Sequence, residues 1–150
     1  MKKLAALLAA VMMLMGFALA DQTVTLPGGN YKISIPDDMT YSSQSRSDLP
    51  QFSFAYFSQT LEMDVFSYSS GGRSIMEMAE MLQADGVGAE VRQIGGRQML
   101  CYRMTDEADG AKCIVYSMLD GGQVIEILFW YANSSAASQT EKIISGISPT

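Results

Sequence analysis

The sequence has 150 residues, with ten Lys and Arg against sixteen Asp and Glu and no His, for a net charge of −6. An acidic chain lacks the cationic contacts that release counterions from nucleic acid or anionic lipid, so neither is an expected partner. Without His the commonest general base and transition-metal ligand are gone, so we expect no enzyme, no cofactor and no metal site.

The chain opens on "MKKLAALLAAVMMLMGFALADQ". Lys2 and Lys3 precede an uncharged apolar run from Leu4 to Phe17, and Ala18-Leu19-Ala20 fits the small-x-small rule for signal peptidase. The pattern predicts a bacterial secretory leader cut between Ala20 and Asp21, and hence an extracellular or periplasmic location. An uncleaved anchor needs about 20 apolar residues, and this run stops at Ala20. No Cys follows the cut to carry a lipid, and no later run is long enough to span a membrane. The leader holds two lysines and no acid, so its loss takes the charge from −6 to −8. Residues 21–150 are the length of one domain with a real core.

"QTVTL", "PGGN" and "YKISI" read as strand, turn and strand, ended by Pro36, which has no backbone donor. Residues 37–50 are polar and read as a loop. "QFSFAYFS" and "EMDVFSYSS" are the next strands, the first placing Phe52, Phe54 and Tyr56 on one face, the second alternating Met63, Val65 and Ser67 against Asp64, Phe66 and Tyr68. Ser74 followed by Glu77 is a capping box. The stripe Ile75, Met78, Ala79 and Leu82 then predicts a helix that Gly86 stops.

Three glycine turns (Gly95-Gly96, Asp109-Gly110 and Gly121-Gly122) link "AEVRQI", "RQMLCYRM", "AKCIVYSML" and "QVIEILFWY" into a four-strand antiparallel meander. Leu100, Tyr102 and Met104 point one way, Met99, Cys101 and Arg103 the other. The last strand is apolar on both faces, which predicts a central strand covered on both sides. A closing helix, capped by Ser134 or Ser135, buries Thr140, Ile143, Ile144 and Ile147 and stops at Gly146 and Pro149. The expected fold is α+β: a largely antiparallel sheet ending in the meander, with helices packed on it as an α/β/α-like sandwich.

"YKISIPDDM", the meander opened by "IGGRQM" and the closing "TEKIISGIS" resemble, in order and spacing, the PsbP-like fold family across residues 22–148. Met39 or Tyr41 stands where that family's signature has tryptophan. The family is named for an extrinsic photosystem II subunit, and a nuclear Ran-binding protein shares its fold. The resemblance implies docking to a protein partner or assembly and supplies no catalytic residues. With the missing His and the missing nucleophile motif, it leads us to expect a secreted, monomeric, non-catalytic domain that binds an unidentified protein at the cell envelope. A second reading is a carrier of a small apolar or anionic ligand, held between the sheet and a helix or loop 37–50. A third is an enzyme using carboxylates alone, which needs two close acids in a cleft, one with a raised pKa.

Cys101 and Cys113 are the only cysteines. Their spacing is too wide for a C-x-x-C redox pair, and two thiols without His fall short of a zinc site. If a tight loop closes at Asp109-Gly110, Cys101 falls opposite about Ser117 and the thiols stand too far apart to bond. A wider loop centred on Glu107 sets them face to face, for a disulfide of roughly 3 kcal/mol. Both readings stay open, and either makes this stretch scaffold. Asp106, Glu107 and Asp109 could hold calcium or be a solvated tip. Met76, Met78 and Met81 could bind Cu(I) but suit core packing. A two-residue turn at Gly95-Gly96 puts Arg92, Arg97 and Arg103 on one face, where with Trp130 they form a candidate ligand or partner patch, unless acids such as Glu90 pair with them.

Overall fold

A computed structural model describes residues 21–42 and 49–150. The expected leader, residues 1–20, lies outside the described residues, as do residues 43–48 of the expected loop. Within them the chain runs β1 (Asp21–Thr25), β2 (Tyr31–Pro36), β3 (Thr40–Tyr41), β4 (Phe52–Phe57), β5 (Leu61–Ser69), α1 (Ile75–Ala84), β6 (Glu90–Ile94), β7 (Arg97–Thr105), β8 (Lys112–Asp120), β9 (Gln123–Tyr131), α2 (Ser134–Ser145) and β10 (Ser148–Pro149). A small sheet has the order β1-β2-β10 and a large one the order β3-β4-β5-β9-β8-β7-β6, and every pairing is antiparallel. The two helices cover opposite faces of the large sheet, as in an α/β/α sandwich.

Glycine chemistry sets the meander. Ile94 pairs with Arg97 across a two-residue turn whose Gly95 and Gly96 have φ of 59° and 78°, the left-handed region that only glycine enters cheaply. Gly121 does the same between β8 and β9, so register runs unbroken from Asp120↔Gln123 to Lys112↔Tyr131. β9 is central, between β5 and β8. One of its faces carries Ile125, Ile127 and Phe129, all buried beneath α2 and the small sheet with Ile33, Ile35 and Met63. Its other face departs from the expected full cover. Val124 is buried, but Glu126, Leu128 and Trp130 are half-buried, because α1 is short and packs over β6, β7 and the far end of β8 with Val91, Leu100 and Leu119.

The helices follow their local signals. Ser74 Oγ accepts from Glu77 N while the Glu77 carboxylate accepts from Ser74 N, the full capping box. For α2 the cap is Asn133, not Ser134 or Ser135, its side-chain oxygen accepting from Ala136 N at 2.9 Å. Thr140, Ile143, Ile144 and Ile147 are buried as the stripe requires.

Three other expectations change. The 37–50 loop contains β3, which adds to the edge of β4. A β-bulge between Phe52 and Phe54 flips the parity of β4, so Phe52 faces Phe66 while Phe54 and Tyr56 turn to the opposite face. Past Gly146 the chain forms β10 against β2, and Thr150 reaches Asn30 O and Gly29 O.

Candidate functional site

α2 packs across its face of the large sheet and leaves the outer part of β7 and the start of β8 open beside its N-terminal half. The result is a groove of about 1240 Å³. Its floor is Cys101, Ile114 and Tyr116, all buried. One wall is Ala137, Ser138, Thr140 and Glu141 of α2; the far rim is Glu90 and Arg92 of β6. Arg103, Lys112, Tyr131 and the hairpin residues Asp109–Ala111 close its end. Thr140 Oγ gives its proton to Ala137 O, so at 2.9 Å Tyr116 OH is the donor toward Thr140. That bond fixes floor to wall.

The charges divide into two sets. Arg92 Nη2 donates to Glu141 Oε1 at 2.7 Å, tying the edge strand to the helix across the groove; this bond raises the Arg92 pKa further. Both groups are nearly half exposed, so the pair contributes at most about 1 kcal/mol. Arg103 donates to Tyr131 OH at a long 3.5 Å. Among the described residues neither Arg103 nor Lys112 enters an ion pair. A second hollow of about 650 Å³ shares Ala111, Lys112, Tyr131 and Ala132 with the groove and runs on to the exposed rings of Phe57 and Tyr41. The two adjoin into one trough that turns round the end of the sheet, because Phe57, Glu62 and Trp130 of the second hollow share the face opposite Lys112 and Tyr131.

The candidate patch divides accordingly. Register places Arg92, Arg97 and Arg103 on one face. Arg92 and Arg103 line the groove, but Arg97 donates to Ile147 O at 2.9 Å and stacks 4.8 Å over the Tyr31 ring, where it locks the end of α2. Trp130 stands on the opposite face, its indole donating to Asp64 at 3.2 Å. The patch as a foursome does not exist, because Trp130 has the other parity on β9 and the helix ends before Arg97.

The cysteines form no bridge. Thr105 pairs with Lys112, so the hairpin loop is six residues, 106–111; Cys101 pairs with Tyr116 and Cys113 with Met104. This parity aims the two thiols at opposite faces, and both are buried and free. Burial pushes Cys101 up to about 11 and Cys113 up to about 12, so both are poor nucleophiles. In the loop, Asp106 and Asp109 each accept from a backbone N–H two residues on, at 2.8 and 2.9 Å. No group of three acid, Cys or His side chains placed for a metal occurs among the described residues.

The uncovered face holds a polar cluster that sequence reading missed. Glu126 accepts from Tyr68 OH at 2.9 Å and from Ser117 Oγ at 3.3 Å. Burial raises its carboxyl pKa, and those two bonds pull it partly back; Tyr68 is raised in turn, by burial and then by Glu126. Asp64 stands diagonally across, opposite Leu128 where Glu126 is opposite Phe66. The signal was one acid in the apolar run "QVIEILFWY". Neither acid lines the groove.

Two solved structures share this arrangement at a TM-score of 0.64. One is cyanobacterial PsbP from Synechocystis, 10% identical, with 91% of this chain and 96% of that one aligned. The fold is PsbP-like. The other, a protein from Bacteroides thetaiotaomicron, is 14% identical; the PsbP-like domain is 86% covered there but spans only 48% of that chain. The Ran-binding protein Mog1p of Saccharomyces cerevisiae aligns at a TM-score of 0.52 and 10% identity, over 87% of this chain and 96% of its own. No family model and no curated protein matches the sequence.

Proposed function

We propose that this PsbP-like chain is a non-catalytic domain, secreted after cleavage at Ala20, that docks a polypeptide at the cell envelope through the trough beside α2. The observation that carries this reading is the trough itself: long, open, apolar in its floor and charged along its rim, the anatomy of a protein contact. The secretory pattern supports the location, and no described helix is long and apolar enough to cross a membrane. Mog1p, which binds Ran, lends the fold a precedent for protein recognition. A carboxylate-only enzyme is less well supported: Asp64 and Glu126 lie on the other face, and both accept bonds from their own neighbours.

The test is photo-crosslinking in cells that make the protein, with a benzophenone amino acid at Ser138 in the trough or at Glu80 on α1. A discrete heavier species at position 138, identified by mass spectrometry and absent at position 80, is expected. Equal labelling at both positions, or none at 138, overturns the reading.

A further inference from the structure

Strand β7 outruns one of its neighbours. β6 pairs with it only from Arg97 to Cys101, whereas on the other side β8 pairs with it as far as Thr105. Beyond Cys101 the outer edge of β7 meets no strand among the described residues. Hydrogen-bond parity says which groups are left there. The two-residue turn makes Ile94 and Arg97 a bonded pair, so the odd-numbered residues of β7 aim their backbone at the β6 side. At the other end Asp106 N donates to Ala111 O at 2.8 Å, so the even-numbered residues are the ones bonded to β8. The two readings agree. Arg103 and Thr105 therefore turn their N–H and C=O groups to the open edge, and both residues are exposed. Among the described residues none of these four groups has a hydrogen-bond partner. The groove opens over this same edge: Tyr102 and Arg103 have opposite parity on β7, yet both line it, as do Gly88 and Glu90.

We propose that the docked polypeptide lies in this notch as an added strand, in line with β6, and is held through its main chain by Arg103 and Thr105. This rests on the docking reading above and adds the mode of recognition. The strand is antiparallel to β7, like every other pairing in the sheet. The two partner residues opposite Arg103 and Thr105 each donate an N–H and accept on a C=O. Their side chains share the face of Arg103 and enter the groove. The residue between them turns to the other face, beside Met104, which is 39% exposed, and the half-buried Tyr102. That position suits an apolar side chain. A second copy of this chain is the weaker occupant, because two chains of net charge −6 repel each other.

The experiment selects dodecapeptides from a random phage library on the full secreted protein. Their affinity is then measured for the parent and for Thr105→Pro, Thr105→Val and Ser138→Trp, each checked for native circular dichroism. Pro at 105 removes one outward N–H and leaves the ladder with β8 whole, because Thr105 does not bond to Lys112 across it. Val keeps the N–H and the shape of the side chain. Affinity is expected to fall about tenfold or more in T105P and to stay within about twofold in T105V. A second measurement does not depend on the variants: the Arg103 and Thr105 amides should exchange freely in the unbound protein and be slowed about tenfold or more by bound peptide. Peptides blocked by S138W but indifferent to T105P, with those amides still exchanging freely, overturn this inference and leave the docking reading intact. Equal losses in T105P and T105V also overturn main-chain pairing. Peptides indifferent to T105P and S138W alike overturn both readings. An empty selection counts against the inference, because main-chain pairing asks little of side chains. A dimer of the free protein in light scattering that T105P dissolves overturns the foreign strand and assigns the notch to a second copy.

Discussion

Gly95 offers the sharpest test of how α2 is held against the sheet. Its φ is 59°, and a Cβ built on it meets Ser145 O at 2.6 Å and two more Ser145 backbone atoms at 3.2 Å. Ordinary contact for that carbon begins near 3.4 Å, so Gly95→Ala forces the turn or the end of the helix to move by roughly 0.8 Å. No rotamer change relieves it, because the obstacle is backbone. Overpacking of this kind costs about 1–3 kcal/mol, and a left-handed alanine adds about 1–2 kcal/mol. The neighbour separates these contributions. Gly96 has φ 78° and nothing within 4 Å of its added carbon, so Gly96→Ala carries the conformational cost alone. We expect G95A to lose about 2–5 kcal/mol and G96A about 1–2 kcal/mol in urea unfolding followed by circular dichroism. In a domain of this size the difference is several degrees in Tm. Equal losses in the two variants refute the close approach of turn and helix.

Glu126 supplies a pH test. Its carboxyl is raised in the fold, chiefly by burial, so the folded state holds its proton to higher pH than the unfolded chain does. The sign follows: its contribution to stability falls as pH rises through and above the ordinary value of 4.5, and the penalty is complete once the folded group ionises. Glu126→Gln keeps an acceptor for Tyr68 without the charge. The variant should gain stability relative to the parent as pH is raised from 4 to 8; a gap that stays constant or reverses contradicts the assignment. For the cysteines, a thiol reagent at neutral pH should leave the native protein untouched and modify two thiols in denaturant, with no 2 Da deficit in the mass of the oxidised protein. Rapid native labelling of either Cys would count against their burial.

The meander and both helices were legible because their signals are local. Paired glycines at β-turn spacing, a capping box and an i, i+3, i+4, i+7 stripe each act within a few residues. What went unread depends on partners distant in sequence. β3 and β10 are two residues each, too short for any alternation to register. Parity along a strand is trustworthy only until a bulge resets it, which is why Phe52 left the face of Phe54. The cysteine question turned on a six-residue loop whose length no composition rule specifies, and that length settled both spacing and face. For the site, parity could group three arginines but could not say where α2 would lie across them. That crossing alone divides Arg92 and Arg103 in the groove from Arg97 at the helix end. Lys112, where the two hollows meet, carries no motif at all.

The short pairing of β10 with β2 has a consequence for how the trough behaves. Helix α2 leaves β9 after only Ala132 and Asn133, and at its other end Ser148 and Pro149 are laced to Lys32 and Tyr31. A helix tethered at both ends cannot swing, so the cleft is standing open before anything arrives. The host therefore surrenders little freedom on association, and nearly all the ordering entropy, about 1–2 kcal/mol for each backbone residue fixed, falls on the incoming segment. A guest drawn from a loose tail should then bind weakly and leave quickly, whereas one already extended within its own fold should hold far longer. On the docking reading proposed above, residence time is then the property that separates a partner that arrives ordered from one that must order as it binds.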